Sequence, residues 1–255
     1  MKAAVILRQV PDVVEELVIA EDGRSLSEDD VMYITNELDE HALEQALLLK
    51  ARHTGTVTAI GLGGDAARDA LATSVAKGAD EAVFVPIDFA ARGDNCVLSA
   101  HLAAALKAGG YDVVLTGVYA TDQLDAGLGG LLAARLGIPY VGGLSGVQLD
   151  AGGRKAVVHK EYPGGRLGVM EVDLPAVLGI QSAEQPPRYV PVSKVMQARR
   201  TLRVKELKGP LPQVAGVTVR KLLKPESSAH AKMLEGDEDA VAGQIVNLVK
   251  ERGLL

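Results

Sequence analysis

The chain has 255 residues and a formal charge of −6; 47% of it is hydrophobic but only 3% aromatic, with no tryptophan. The negative balance excludes general nucleic-acid binding, which needs an electropositive footprint. The single cysteine, Cys96, excludes an internal disulfide framework and a thiolate metal cluster. No apolar run reaches the length of a membrane span, so no membrane insertion is expected.

A core of Ala, Val, Leu and Ile suits buried parallel strands covered by small-residue helix faces. The length allows one large domain, or one domain and an appendage. The N-terminal MKAAVILRQVPD superficially resembles a signal peptide, but its apolar run is short and Pro11 and Asp12 interrupt it. It reads as the first buried strand, residues 3–10, of a soluble intracellular chain.

Residues 36–53 predict a helix, with Asn36 as its N-cap and the acids Glu37, Asp39 and Glu40 in the first turn, where the helix dipole favours them. TVTAIGL (56–62) is the next strand, and DAARDALATSVAKG (65–78) a helix closed by Gly78. A strand at 81–86, a helix at 95–110, a strand at 112–117 and a helix at 128–137 continue the alternation. This pattern predicts an α/β fold, with a parallel sheet and crossover helices on both faces.

After Pro139 the pattern changes. Residues 141–150, 154–162 and 166–181 each read as a strand, joined by turns at Gly152-Gly153 and Gly164-Gly165, hence hairpins rather than crossovers. Residues 182–191, SAEQPPRYVP, form a proline-stiffened loop. The stretch 193–208 is basic, with Lys194, Arg199, Arg200, Arg203, Lys205 and Lys208, and 209–213 reads as a linker. The tail DEDAVAGQIVNLVKERG (237–253) places Val241, Ile245 and Leu248 on one helical face. Such a tail either packs back on its own domain or reaches to a partner.

GLGGDA (61–66) matches the looser dinucleotide fingerprint G-x-G-x-x-A between a strand and a helix. It follows the second strand rather than the first, and a glycine-rich turn needed for close packing is the favoured reading. The stretch LTGVYATDQLDAGLGGLLAARLGIP (115–139) is more informative. In an open α/β sheet, ligands sit beyond the carboxyl ends of strands. The loops at 8–12, 61–64 and 117–130 all lie at such ends, and their convergence favours a mononucleotide pocket. Backbone N–H groups of residues 125–129, leading into a helix, would bind a phosphate without a lysine. A purely structural loop is the competing reading.

The histidines His41, His53, His101, His159 and His230 show no metal-ligand spacing, and GGLSGV (142–147) is not a nucleophile elbow. The acids at 37–40 are explained as helix-start charges, and Cys96 as a small core residue. Conventional acid–base or nucleophilic catalysis finds no support. The basic run is either a solvated strand edge or a docking surface for an acidic partner.

Taken in order, several motifs point one way. They are VILRQVPD (5–12); NELDEHALEQAL (36–47), of the form Asn-x-x-Asp-Glu-x-Ala-Leu-Glu-x-Ala; SVAKGAD (74–80); GVYATDQLDAGLGGLLAARLGIP (117–139); KEYPGGRLGVMEVDLPAVLGI (160–180); and PPRYVPVSKVMQARR (186–200). From residue 2 to about residue 208 the chain resembles the β-subunit family of electron transfer flavoproteins, also called the FixA family.

The resemblance implies a doubly wound, mostly parallel, adenine-nucleotide-binding fold of flavodoxin or Rossmann type, with a hairpin extension and a C-terminal arm. It sets residues 1–192 as the nucleotide-binding domain and 193–255 as a recognition segment and an arm packing on the partner subunit. It implies FAD bound mainly by an α subunit, and AMP in this subunit, with a second FAD as the variant found in bifurcating members.

By position, the nucleotide contacts of the family correspond to Ile6, Asn36, Leu38, Asp39, Leu62, Gly63, Gly117, Ala120, Thr121, Asp122, Gln123, Asp125, Ala126, Gly127 and Leu128. Many members carry polar residues where this chain has Ala126, Gly127 and Leu128. Losing a hydrogen bond to a charged group costs about 1.5–3 kcal/mol, so weaker nucleotide binding is expected, and AMP, a second FAD and an empty pocket all stay open. Glu161 matches a family acid near the flavin. Val192 stands at the aliphatic anchor of the family's dehydrogenase-recognition loop, beside Arg199 and Arg200.

The implied function is that of an electron carrier subunit rather than an enzyme. It would take electrons from dehydrogenases of the acyl-CoA dehydrogenase type to a quinone oxidoreductase, in the cytoplasm, or in the mitochondrial matrix for a eukaryotic source. A stand-alone α/β nucleotide-binding enzyme or sensor is the alternative, for which the 117–130 loop offers only Asp122 and Asp125 as phosphate- or metal-facing acids.

Overall fold

The computed structural model describes residues 1–87, 94–123, 125–207, 212–225, 231 and 233–254. Lys208, His230 and residues 209–211 of the expected linker lie outside them. The chain divides into two compact units, Met1–Lys221 and Leu222–Leu255.

In the first unit the alternation read from the sequence is realised. Strands β1 (Lys2–Leu7), β4 (Thr56–Gly63), β5 (Glu81–Pro86) and β6 (Val113–Gly117) alternate with helices α1 (Glu37–Arg52), α2 (Asp65–Lys77), α3 (Asn95–Lys107) and α4 (Gly127–Leu136). Between β1 and α1 a small antiparallel pair intervenes, β2 (Gln9–Pro11) with β3 (Tyr33–Thr35). The later strands are β7 (Tyr140–Leu149), β8 (Lys155–Tyr162), β9 (Arg166–Asp173) and β10 (Ala176–Ile180). Helix α5 (Val192–Thr201) and the short β11 (Lys205–Glu206) follow.

The nine-stranded sheet runs β11-β5-β4-β1-β6-β10-β7-β8-β9. Every neighbour pair from β11 to β7 is parallel, and only β7–β8 and β8–β9 are antiparallel. Side chains alternate through the central strands and build a core on each face. Ala3, Val5 and Leu7 of β1 join residues of α1 and α2, while Ala4 and Ile6 join residues of α3 and α4. Helices on both faces make the sheet doubly wound.

One expectation is corrected. Residues 166–181 are two strands, not one: β9 pairs antiparallel with β8, and β10 enters the sheet centre parallel to β6 and β7. The burial patterns differ accordingly. β9 alternates between wet and packed positions, whereas all five residues of β10 are buried. A strand with neighbours and helices on every side must be apolar throughout; an edge hairpin needs only one apolar face.

The basic run is also reassigned. Most of it is helix α5, which packs on α2, and only Lys205–Glu206 form an edge strand, on β5. Helix α5 begins just after Pro191, whose missing N–H costs nothing at a helix start.

The second unit holds helix α6 (Glu238–Glu251), capped by Asp237, whose carboxylate accepts from Ala240 N at 2.9 Å. No residue of α6 is buried. Among the described residues no helix is long and apolar enough to cross a membrane.

Candidate functional site

Strand β1 stands where the strand order reverses, with β4 and β5 on one side and β6 on the other. In open α/β sheets the crevice at this point receives ligands. Arg8, just past β1, and Asp39, in the first turn of α1, form an ion pair there with side chains 5% and 0% exposed. Asp39 Oδ2 accepts from Arg8 N at 2.8 Å and Nε at 3.0 Å, and Oδ1 accepts from Arg8 Nη2 at 2.9 Å and Gly117 N at 2.8 Å. Arg8 Nη2 also reaches the carbonyls of Tyr119 (2.9 Å) and Gly117 (3.2 Å). One carboxylate thus ties the ends of β1 and β6 to the start of α1.

Asn36 occupies the N-cap position of α1, but its side chain makes no capping bond. Its Nδ2 donates instead to the carbonyl of Tyr119 at 3.0 Å, across the crevice. Gly117 is glycine because the chains meet here. A Cβ on it would lie 2.5 Å from Asp39 Oδ1 and 2.7 Å from the backbone carbon and Cβ of Leu38. Gly61 of the fingerprint-like stretch has a comparable reason: its Cβ would sit 3.0 Å from Leu71 Cγ of α2.

The loop between β6 and α4 mixes buried and wet positions. Ala120 and Leu128 are buried, while Thr121, Asp122, Asp125 and Ala126 are exposed and Gln123 is intermediate. Ala126 takes the left-handed conformation, φ 51°, directly before the helix. Asp125 Oδ1 accepts from Gly127 N at 2.9 Å and from Asn95 Nδ2 at 2.6 Å. An amide that the sequence reading sets aside for a phosphate is therefore answered by a carboxylate of the same loop, which complements the helix dipole as a bound anion would.

The carboxyl of Asp122 is raised above its ordinary value. Burial, which disfavours the charged form, contributes most, opposed by a hydrogen bond from its own backbone amide and by the charge of Arg8, with Asp39 and Asp125 adding to the rise. Its residue surface is still largely wet, so the shift is small in stability terms.

Among the described residues, three polar atoms around this edge are buried without a partner: Asn36 Oδ1, Asn95 Oδ1 and Thr116 Oγ1. Unsatisfied buried acceptors are costly, and they match the hydroxyl and amino donors of a nucleoside. A small recess beside them is lined by Arg8, Gln9, Leu62, Ile87 and Leu98, an apolar wall with a charged corner.

Ile6 and Leu62 lie in the core against α3 and α4, with Leu62 also facing the recess. Leu38 is half-buried behind Gly117, and Gly63 ends β4 with φ 122°.

The structure does not gather the remaining sequence-predicted residues at this edge. Glu161 is exposed near the end of β8. Val192 opens α5 and is 72% exposed, Arg199 is paired with Asp69 of α2, and Arg200 is exposed. Arg8 enters the sequence analysis only as the start of the 8–12 loop, and Asn95, Thr116 and Tyr140, which lie around this edge, are not singled out there. Arg8 had a signal, being a charge inside an otherwise apolar strand run. Tyr140 had none: its ring lies on a bed of glycines, where Cβ atoms on Gly129, Gly142 and Gly179 would come within 2.4, 2.2 and 2.7 Å of it. Among the described residues no group of three or more His, Cys, Asp or Glu is placed to hold a metal ion.

The family model for the electron transfer flavoprotein domain matches residues 24–212. The chain is 32% identical to the electron transfer flavoprotein subunit beta of Methylophilus methylotrophus over 262 aligned positions, covering 98% of both chains. It is 31% identical to the caffeyl-CoA reductase-Etf complex subunit CarD of Acetobacterium woodii, covering 100% of each. It is 30% identical to the protein FixA of Azorhizobium caulinodans, over 78% of this chain and 73% of that one.

Proposed function

The chain belongs to the electron transfer flavoprotein family as a β-type subunit, with a role in electron transfer, and from that premise we propose that it pairs with an α subunit and buries a nucleotide, AMP, at the β1–β6 edge. FAD, held mainly by the α subunit, supplies the redox chemistry of the complex. This chain orients and presents that flavin to successive partners, a dehydrogenase of the acyl-CoA dehydrogenase type and a quinone oxidoreductase. The complex works in the cytoplasm, and the segment beyond residue 192 serves recognition and subunit contact.

The observation that carries this reading is the Arg8–Asp39 cluster. Its charges are consumed in holding β1, β6 and α1 together, which is the build of a scaffold and not of a reacting centre. The oxygens of Asn36, Asn95 and Thr116, without a partner among the described residues, offer acceptors to a ribose and a base, and the amides opening α4 other than that of Gly127 face the phosphate. Val192, with Tyr189 and Met196 exposed nearby, makes the apolar contact with the dehydrogenase. Arg199 and Arg200 speed the encounter with an acidic surface, and Glu161 stands on the flavin side.

Expression alone and with the α subunit tests the reading. The chain alone is expected to be colourless and the heterodimer yellow, with FAD and AMP both released on denaturation and identified by mass. A chain that binds FAD stably by itself, or a heterodimer releasing a second FAD or no further nucleotide, overturns the corresponding part.

A further inference from the structure

Residues 181–191, between β10 and α5, form neither helix nor strand, yet the amides of 181–184 and of Arg188 are answered. Gln181 N and Ser182 N donate to the carbonyl of Leu144 at 2.8 and 3.2 Å. Ala183 N donates to His41 Nδ1 at 3.2 Å and Glu184 N to Gln45 Oε1 at 3.1 Å, both side chains of α1. The Glu184 carboxylate is gripped by Arg52 of α1 at 2.6 and 3.0 Å. Pro186 and Pro187 bring no N–H to satisfy.

Arg188 then closes the strap on Glu44. Its backbone N donates to Oε2 at 3.0 Å, and its guanidinium donates through Nε at 2.8 Å and Nη2 at 2.7 Å. The Glu44 side chain is 4% exposed. A buried carboxylate on a core-facing helix position is tolerated only when paired and hydrogen-bonded; its hydrogen bonds come from Arg188 of this strap, and the charge of Lys77 on α2 adds a smaller favourable effect.

We propose that Glu44, through Arg188, is a positioning residue for partner recognition. The clamp fixes the entry to α5 and so holds Tyr189, Val192 and Met196 as one oriented patch. It rests on the functional reading above for the identity of the partner. The far end of α5 is secured separately, by the burial of Ala198 and the Arg199–Asp69 pair on α2. Release of Glu44 therefore loosens the front of the recognition segment and leaves the flavin-bearing part of the complex in place. A docking patch that must be ordered on encounter binds more weakly, which raises KM and spares kcat.

The test uses the heterodimer in three forms, wild type, Glu44→Gln and Arg188→Lys. Reduction by an acyl-CoA dehydrogenase with octanoyl-CoA is coupled to a dye, with hydrogen exchange measured in parallel. Lysine keeps the charge but not the bidentate fork, and because Arg188 is partly exposed its replacement leaves the core intact should Glu44→Gln fail to fold. Both variants are expected to raise KM for the heterodimer by about tenfold, with kcat within about twofold of wild type. Faster exchange should be confined to residues 182–196.

Unchanged KM, or exchange that is unaltered or raised throughout α1, overturns the proposal. If wild type is not reduced by this dehydrogenase, the partner class above is wrong. The exchange data then decide the clamp alone: a rise confined to 182–196 sustains it, and no rise overturns it.

Discussion

Asp39 has no exposed surface, and a carboxylate so placed persists only because each oxygen is filled, two donors on each. The same four contacts define the crevice, so folding and site construction are one event at this residue. Asp39→Asn would leave the Arg8 guanidinium buried beside a neutral amide, one of whose ends donates where an acceptor is needed. Breaking a buried pair in this way costs about 3–5 kcal/mol, expected as a large fall in the urea midpoint and, for the nucleotide site proposed above, a loss of nucleotide recovered from the heterodimer.

Glu44 supplies a pH readout. Burial pushes its carboxyl up, but the side-chain and backbone hydrogen bonds from Arg188, with the charges of Arg188 and Lys77, outweigh that and hold it below its ordinary 4.5. A depressed folded-state value means stability that is fully present above the unfolded value and lost as pH falls through the folded one. The advantage of wild type over Glu44→Gln, about 1–2 kcal/mol with Arg188 partly in water, should hold from pH 7 to about pH 5 and shrink below it. Thermal melts at stepped pH check this, and an advantage that grows on acidification would contradict the clamp.

At the scale of elements, helix α4 sits where it does because glycines let it. Gly129 presses on the ring of Tyr140 at the start of β7, whose hydroxyl end rests over Gly142 and Gly179 of β7 and β10. Gly129→Ala would place a Cβ 2.4 Å from the ring and is expected to cost about 1–3 kcal/mol by overpacking. In a Tyr140→Ala background the same change should cost much less, a coupling readable in a double-mutant cycle. Additive costs would show that the contact does not set the helix position. Glycine spacing in GLGG announced a helix start, but not which aromatic ring lay opposite, since that ring belongs to the next strand.

Strand β10 makes the same point. Its five residues were visible as an apolar run, yet the run reads continuously with β9 until the sheet shows that one half is an edge and the other the centre. The strap between β10 and α5 is a third case. Its prolines marked a stiff loop, whereas its attachment to α1 is invisible in local pattern because Glu44 and Arg188 are 144 residues apart.

For the whole molecule, the split after Lys221 predicts that a chain ended there keeps its unfolding midpoint within about 2 °C of the full chain; the proposed role of the segment in subunit contact further predicts that it loses assembly with the α subunit. A large fall in the midpoint on thermal melting would mean that the tail stabilises its own domain and not the heterodimer.

The sequence by itself determined the alternation of strand and helix, the parallel sheet with helices on both faces, the hairpins at paired glycines and the family. Each of these depends on local periodicity, turn chemistry or ordered motifs, which are properties of neighbouring residues. It also singled out the 117–130 loop, because glycine runs at strand ends are local as well. The tertiary structure alone decided what those residues touch. Asp39 became a tie for β1 and β6 and not only a helix-start charge, Asp125 took the Gly127 amide, and the glutamate of the α1 motif turned toward the strap between β10 and α5. Such pairings bring together side chains distant in the chain, and only the packed sheet fixes which donor meets which acceptor.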